Sequence, residues 1–166
     1  MTSRYVKPTF AILAALALSL AFAARTIAAP AAGLNWEVHG TGSGSVTVFT
    51  GGSSGGPAMP QHVGNATYSF SLSSPAVFTS NGGAGGVCSI ATGSGSIEAA
   101  DGSHIFFNTV GMLCNEASSI SPVHYNGTYR ITTGDGRFVG VLGGGSLTAT
   151  FGSTHFIKID GTITGI

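Results

Sequence analysis

Charged residues are scarce in this sequence, at 7% of 166 positions. Three of the six basic residues, Arg4, Lys7 and Arg25, precede residue 29, so the remainder carries a net charge of 3 − 6 = −3. No run of Lys and Arg occurs in it. Nucleic acids and anionic membrane surfaces are bound by clustered basic residues. The composition therefore argues against both as partners.

The sequence also lacks a hydrophobic run long enough to span a membrane. Its longest apolar run, Ala11–Ala24, has fourteen residues, whereas a membrane-spanning helix needs about 20. Basic residues precede the run, which is typical of a secretory signal peptide. We expect residues 1–28 to form a signal helix that is cleaved, and 29–166 to form a single secreted or periplasmic domain without a membrane span. An uncleaved N-terminal anchor is the alternative.

Only two cysteines are present, Cys88 and Cys114. Their wide spacing does not fit a CxxC zinc or redox motif. If the turn in "AADGS" is centred on Asp101, antiparallel pairing places residues opposite each other when their numbers sum to 202. Cys88 then faces Cys114, and Glu98 faces His104. In an oxidising compartment this arrangement predicts a cross-strand disulfide.

No stretch after residue 28 shows a sustained helical period. Apolar and hydroxyl residues alternate instead, as in "ATYSFSLSS", "NGTYRIT" and "SLTATF". This period of two is typical of half-buried antiparallel strands. We predict an all-β protein, closed as a barrel or folded as a sandwich. The predicted strands are Leu34–His39, Ser45–Thr50, Ala66–Ser73, Val87–Glu98, Ser103–Cys114, His124–Thr132, Arg137–Phe151 and His155–Thr164.

Glycine, by contrast, is abundant, with 27 residues. The tracts Gly51–Gln61 and Thr79–Gly86 combine Gly and Ser without an apolar period, and we interpret both as loops. Neither tract is followed by a helix or a Walker-type Lys, so a phosphate-binding loop is disfavoured.

Motifs for catalysis or metal binding are missing. The five histidines are scattered singly, which gives no local pair of metal ligands, and no G-x-S-x-G stretch occurs. Glu98 facing His104 is the one acid-base pair that the strand register supplies, and a surface charge pair is the favoured interpretation. We predict no metal site and no cofactor.

The stretch "ITTGDGRFVGVLGGGSLTATF" combines a strand pattern with six glycines. Thr133–Gly136 is predicted to form a turn, with Asp135 bonding its own backbone. In the resulting hairpin, Ile131 pairs with Phe138 and Tyr129 pairs with Gly140. A glycine beneath an aromatic ring lets a barrel strand bend.

Further along, Gly143–Gly145 predicts a bend or a β-bulge. On the preceding strand, Arg130 alternates with Tyr129 and Ile131, so we expect Arg130 to point outward.

The same stretch resembles the allene oxide cyclase and dirigent barrel superfamily, whose late hairpin carries a G-G-[TS]-G-x-F-x-G-x-x-G signature. Thr133 and Asp135 depart from the signature, and Arg137 precedes the phenylalanine as in small secreted relatives. The matching positions are Gly134, Gly136, Phe138, Gly140 and Gly143. The resemblance implies an eight-stranded antiparallel β-barrel, a homo-oligomer, and a lumen that can hold an apolar small molecule. The family's catalytic residues do not carry over.

We therefore expect an exported, non-catalytic β-barrel that acts as a binding or structural module. The alternative is a cyclase or dirigent-like enzyme that steers a reactive small molecule inside the barrel. A membrane-spanning barrel is disfavoured because the outward face is rich in Ser and Thr rather than apolar.

Overall fold

A computed structural model describes residues 32–79, 86–115 and 122–166. In it, each β-strand pairs with the next one along the chain, and the last pairs with the first, which closes a barrel. All eight pairings are antiparallel. The strands are β1 (Leu34–Thr47), β2 (Gly51–Pro60), β3 (Ala66–Thr79), β4 (Val87–Ala99), β5 (His104–Asn115), β6 (Val123–Gly134), β7 (Leu142–Phe151) and β8 (His155–Thr164). The prediction of an all-β, eight-stranded antiparallel barrel is confirmed. The predicted signal helix, 1–28, lies outside the described residues.

The alternation in the sequence marks the inside and the outside of the barrel. On β3, Tyr68, Phe70 and Leu72 are buried, while the serines between them are exposed. On β6, Tyr129 and Ile131 are buried and Arg130 is exposed, as predicted. Successive side chains of a strand point to opposite faces, so a single period-two pattern separates an apolar interior from a hydroxyl-rich exterior.

The interpretation of Gly51–Gln61 as a loop is wrong, because Gly51–Pro60 is strand β2. It pairs with β1 on one side and with β3 on the other. The tract lacks bulky apolar residues because the backbones lie close together: an added Cβ at Gly56 would collide with the carbonyl oxygen of Thr41. The predicted strands Leu34–His39 and Ser45–Thr50 belong to one strand, β1, which ends at Thr47, and residues 48–50 form a turn. Most of the second predicted loop, Thr79–Gly86, lies outside the described residues.

The prediction for the β4–β5 hairpin is confirmed. Cys88 faces Cys114 and Glu98 faces His104 in the observed register. The two cysteines form a disulfide that closes a segment of sequence separation 26. Glu98 lies on the outside, with its carboxylate 3.9 Å from the His104 ring, so the two side chains meet on the surface.

The predicted register of the β6–β7 hairpin is wrong. Tyr129 pairs with Gly145 rather than with Gly140. Gly140 lies outside the strands, at a φ of +85°, and Gly136–Phe138 forms a short 3-10 turn. The turn buries Phe138 at this end of the barrel, and the Val141 N–H donates to the Phe138 carbonyl at 3.1 Å. Burial of that ring lengthens the connection and shifts the register.

The bulge predicted at Gly143–Gly145 is also absent, since β7 pairs with β8 without interruption from Leu142 to Phe151. Register shifts occur elsewhere, between Ser73 and Ala76 and between Phe106 and Phe107. Glycines are needed in β7 because an added Cβ at Gly145 would collide with the carbonyl oxygen of Asp160.

Candidate functional site

The centre of the barrel is filled by aromatic side chains. The ring of Phe70 lies 6.0 to 6.4 Å, between centroids, from those of Phe107, Tyr125 and Phe151. Tyr129 continues the cluster towards Trp36, at a centroid distance of 6.0 Å. All of these side chains are buried. These rings therefore pack against one another across the middle of the barrel, as side chains do inside other small barrels.

Three polar side chains meet inside the end of the barrel where β7 turns into β8. The hydroxyls of Ser54 and Tyr68 lie 2.9 Å apart, and His155 Nδ1 lies 2.9 Å from Ser54 Oγ. Their exposed fractions are 5%, 3% and 3%. The His155 ring meets Phe151 edge to face at 5.1 Å between centroids. We call this set, Ser54, Tyr68 and His155, the interior polar cluster.

Glycines on β1 make room for the interior polar cluster. Gly42 pairs with His155 across the β1–β8 ladder, and an added Cβ there would lie 2.6 Å from the Tyr68 hydroxyl. At Gly40 an added Cβ would lie 2.8 Å from the Tyr68 ring. The tyrosine ring thus lies across a strip of bare backbone, which brings its hydroxyl to Ser54.

The chemistry of the interior polar cluster is limited by its partners. A serine bonded to a histidine has the geometry of a nucleophile and its base, and burial lowers the pKa of His155 below its ordinary value. However, among the described residues no carboxylate bonds to His155 to orient and stabilise its charged form, and the Tyr68 hydroxyl occupies the other side of Ser54. The cluster satisfies buried polar groups in a packed core.

Two further polar atoms of the interior, Trp36 Nε1 and the Tyr129 hydroxyl, are buried without a hydrogen-bond partner. Burial, together with the nearby charge of Asp160, raises the pKa of Tyr129 to about 12. Both groups can donate a hydrogen bond.

One group of polar and aromatic side chains on the outer face lies on four neighbouring strands, β1, β8, β7 and β6. Two rows of outward residues run across these strands in register. The rows are Thr41, Phe156, Thr150 and His124, and next to them His39, Lys158, Thr148 and Asn126. They line a concavity of about 480 Å³, which we call the Phe156 groove. Its phenylalanine ring, Phe156, is 54% exposed.

The one lysine of the Phe156 groove is paired with two carboxylates. Lys158 Nζ lies 3.1 Å from Glu37 and 3.0 Å from Asp160, and these carboxylates raise the pKa of Lys158. In return, hydrogen bonds from Lys158 and His39 lower the pKa of Glu37. The groove therefore offers hydrogen-bonding groups with little net charge.

A smaller outer concavity, of about 270 Å³, lies on β3, β4 and β5 beside serines and Phe106. The Phe106 ring is stacked on the His104 ring at 5.5 Å between centroids. One face of the Phe106 ring is therefore already covered by His104.

The residues of the glycine-rich signature lie at the opposite end of the barrel from the interior polar cluster, where they hold turns together. Asp135 Oδ1 accepts a hydrogen bond from the His104 N–H at 2.6 Å. The Arg137 guanidinium donates to the Val63 carbonyl at 2.9 Å and lies 3.4 Å from the Asp101 carboxylate. These contacts are structural.

Within residues 32–79, 86–115 and 122–166, no group of three or more His, Cys, Asp or Glu is placed to hold a metal ion. Nor does this part of the chain contain a helix long and apolar enough to cross a membrane.

Sequence reasoning missed most of these positions. Ser54 was hidden because β2 lacks an apolar period. A signal existed for His155, which shares the period-two face of Ile157 and Ile159, and for Phe156, which falls on the outward face.

Comparison of the chain with protein-family models, with curated proteins and with solved structures found no match.

Proposed function

We propose that this protein is an exported, non-catalytic binding module whose ligand lies in the Phe156 groove. The observation that carries the proposal is an exposed aromatic ring that lines a concavity together with hydrogen-bonding side chains. Ligand sites combine apolar contact with a few placed polar groups in volumes of roughly 300–1,000 Å³. The disulfide supports export to an oxidising compartment.

Native mass spectrometry of protein purified from its own host tests the proposal. The wild-type protein is expected to carry a bound molecule, and Phe156→Ala is expected to lose it. Phe49→Ala is the matched control, because Phe49 is 57% exposed in the β1–β2 turn, outside the groove. A wild-type protein without bound mass, or a bound mass that Phe156→Ala retains, contradicts the proposal.

A second candidate is a lumen site in a cyclase or dirigent-like enzyme, as the family resemblance implies. The unsatisfied donors Trp36 Nε1 and Tyr129 Oη favour it, because buried polar groups are nearly always hydrogen-bonded. An apolar molecule with one oxygen acceptor would match them. Loss of the bound mass in Tyr129→Phe but not in Phe156→Ala would favour this candidate.

A further inference from the structure

We propose that the Phe156 groove binds a neutral, hydroxyl-rich polysaccharide chain, an inference that rests on the groove being the ligand site. The ligand class follows from three properties of the groove: an aromatic platform, a two-row grid of hydrogen-bonding side chains, and compensated charge.

The aromatic platform is the exposed ring of Phe156. Its neighbours in register are Thr41 on β1 and Thr150 on β7, both short side chains that leave the ring accessible. The face of an aromatic ring is electron-rich, and the C–H groups on one face of a sugar ring are weakly positive. A pyranose can therefore lie flat on Phe156 and direct its hydroxyls sideways.

The hydrogen-bonding grid lies where those hydroxyls would point. Outward positions on neighbouring strands are about 4.8 Å apart, and successive outward positions on a strand are about 7 Å apart. Four strands therefore give a row roughly 14 Å long, which accommodates a chain of sugar rings better than a single ring. The Asn126 amide and the threonine hydroxyls donate and accept along it, whereas Lys158 and His39 already bond to carboxylates within the protein. Such mixed donors and acceptors match hydroxyl groups, which also do both.

The charge of the groove selects against ionised ligands. Lys158 is the one Lys or Arg in the groove, and two carboxylates within 3.1 Å already compensate its charge. An acidic saccharide would approach Glu37 and Asp160 without an uncompensated cation to bind. A neutral chain avoids that repulsion and keeps its hydrogen bonds.

Calorimetric titration with defined oligosaccharides tests the inference. The probes are four- to six-unit cello-, xylo-, manno- and chito-oligosaccharides, oligogalacturonate as the acidic probe, and Nile red as the apolar probe. The proteins are the wild type, Phe156→Ala, Phe156→Trp and the matched control Phe49→Ala. Melting temperatures and oligomeric state are measured in parallel.

At least one neutral oligosaccharide is expected to bind the wild type, with an affinity that changes little between low and high salt. Phe156→Ala should weaken binding about tenfold or more, as for a central aromatic contact, while Phe156→Trp and Phe49→Ala should retain it.

Three results overturn the inference. If only oligogalacturonate or Nile red binds in a Phe156-dependent way, the groove is a ligand site but not for neutral sugars, and the proposed function stands. If no probe binds, the sugar inference falls, and the host-derived bound mass decides the proposed function separately. If Phe156→Ala converts a wild-type oligomer to a monomer, the groove is occupied by a second copy of the chain.

Discussion

At the residue scale, two buried side chains depend on the hydroxyl of Ser54. The Tyr68 hydroxyl and His155 Nδ1 both bond to it, and each lies in an otherwise apolar core. A buried polar group that loses its partner has a larger effect on stability than the mean value of a hydrogen bond, because it has already lost its water.

Ser54→Ala is therefore expected to lower the free energy of unfolding by about 1–3 kcal/mol. Ser53→Ala, at the exposed neighbouring position on β2, is the matched control and should change it by less than about 0.5 kcal/mol. Urea denaturation of both variants measures the difference. Equal stabilities would show that the interior polar cluster contributes nothing through its hydrogen bonds.

His155 gives stability a pH dependence of defined sign. Burial lowers its pKa in the folded protein below the ordinary value of 6.5, so below pH 6.5 the unfolded chain binds a proton that the folded protein does not. The folded protein therefore keeps its full stability above pH 6.5. It loses the part that depends on neutral His155 as the pH falls from 6.5 through the folded-state pKa. One proton contributes at most about 1.4 kcal/mol per pH unit.

Denaturation curves between pH 8 and pH 5 check this expectation. The free energy of unfolding of His155→Gln should fall less steeply below pH 6.5 than that of the wild type. His39→Gln, which changes an exposed histidine on β1, serves as the control. Parallel curves for the wild type and His155→Gln would contradict the assignment.

At the element scale, the glycines of β7 and β8 allow an aromatic ring and a neighbouring backbone to approach closely. Gly161 pairs with Gly145 on one side and with Trp36 on the other. An added Cβ at Gly161 would collide with the carbonyl oxygen of Gly144 and would lie 2.7 Å from the Tyr129 hydroxyl. These strands contain glycine for packing, although glycine weakens an isolated strand.

Gly161→Ala is expected to destabilise the protein by about 2 kcal/mol or more, within the range of overpacked cores. Gly55→Ala is a milder control, since its added Cβ would lie 3.1 Å from the nearest heavy atom, the Tyr68 carbonyl oxygen. Thermal unfolding measures both variants. A Gly161→Ala protein as stable as Gly55→Ala would mean that the strands separate without strain.

At the scale of the whole molecule, closure of β8 on β1 leaves no strand edge in the ladder, and the disulfide adds a covalent link between β4 and β5. In the chain-entropy model, the link stabilises the barrel by restricting the unfolded chain. The effect depends on the length of the closed segment and not on the packing around it.

Reduction of the disulfide is therefore expected to lower the free energy of unfolding by about 3–4 kcal/mol. The Cys88→Ser, Cys114→Ser double variant is the control, because the reductant should have no effect on it. Denaturation with and without dithiothreitol compares the two proteins. An unchanged wild-type stability after verified reduction would refute the entropic account.

Much of the fold was predictable from local patterns. Alternation of Tyr68, Phe70 and Leu72 with serines identifies a strand and its inward face, and one turn centre, Asp101, is enough to place Cys88 opposite Cys114. Both predictions depend on residues close together in the chain, where the period of the strand determines which side chains share a face.

The sequence by itself determined the class of the fold, the direction of most side chains and the disulfide, because each follows from strand period and short-range register. Only the tertiary structure decided that Gly51–Pro60 is a strand, that Tyr129 lies beside Gly145, and that Ser54 meets His155. The first two depend on how closely neighbouring backbones approach and on the burial of Phe138, which override local propensity. The third joins residues 101 positions apart, which only closure of the barrel brings together. The Phe156 groove likewise exists only after β8 has closed on β1.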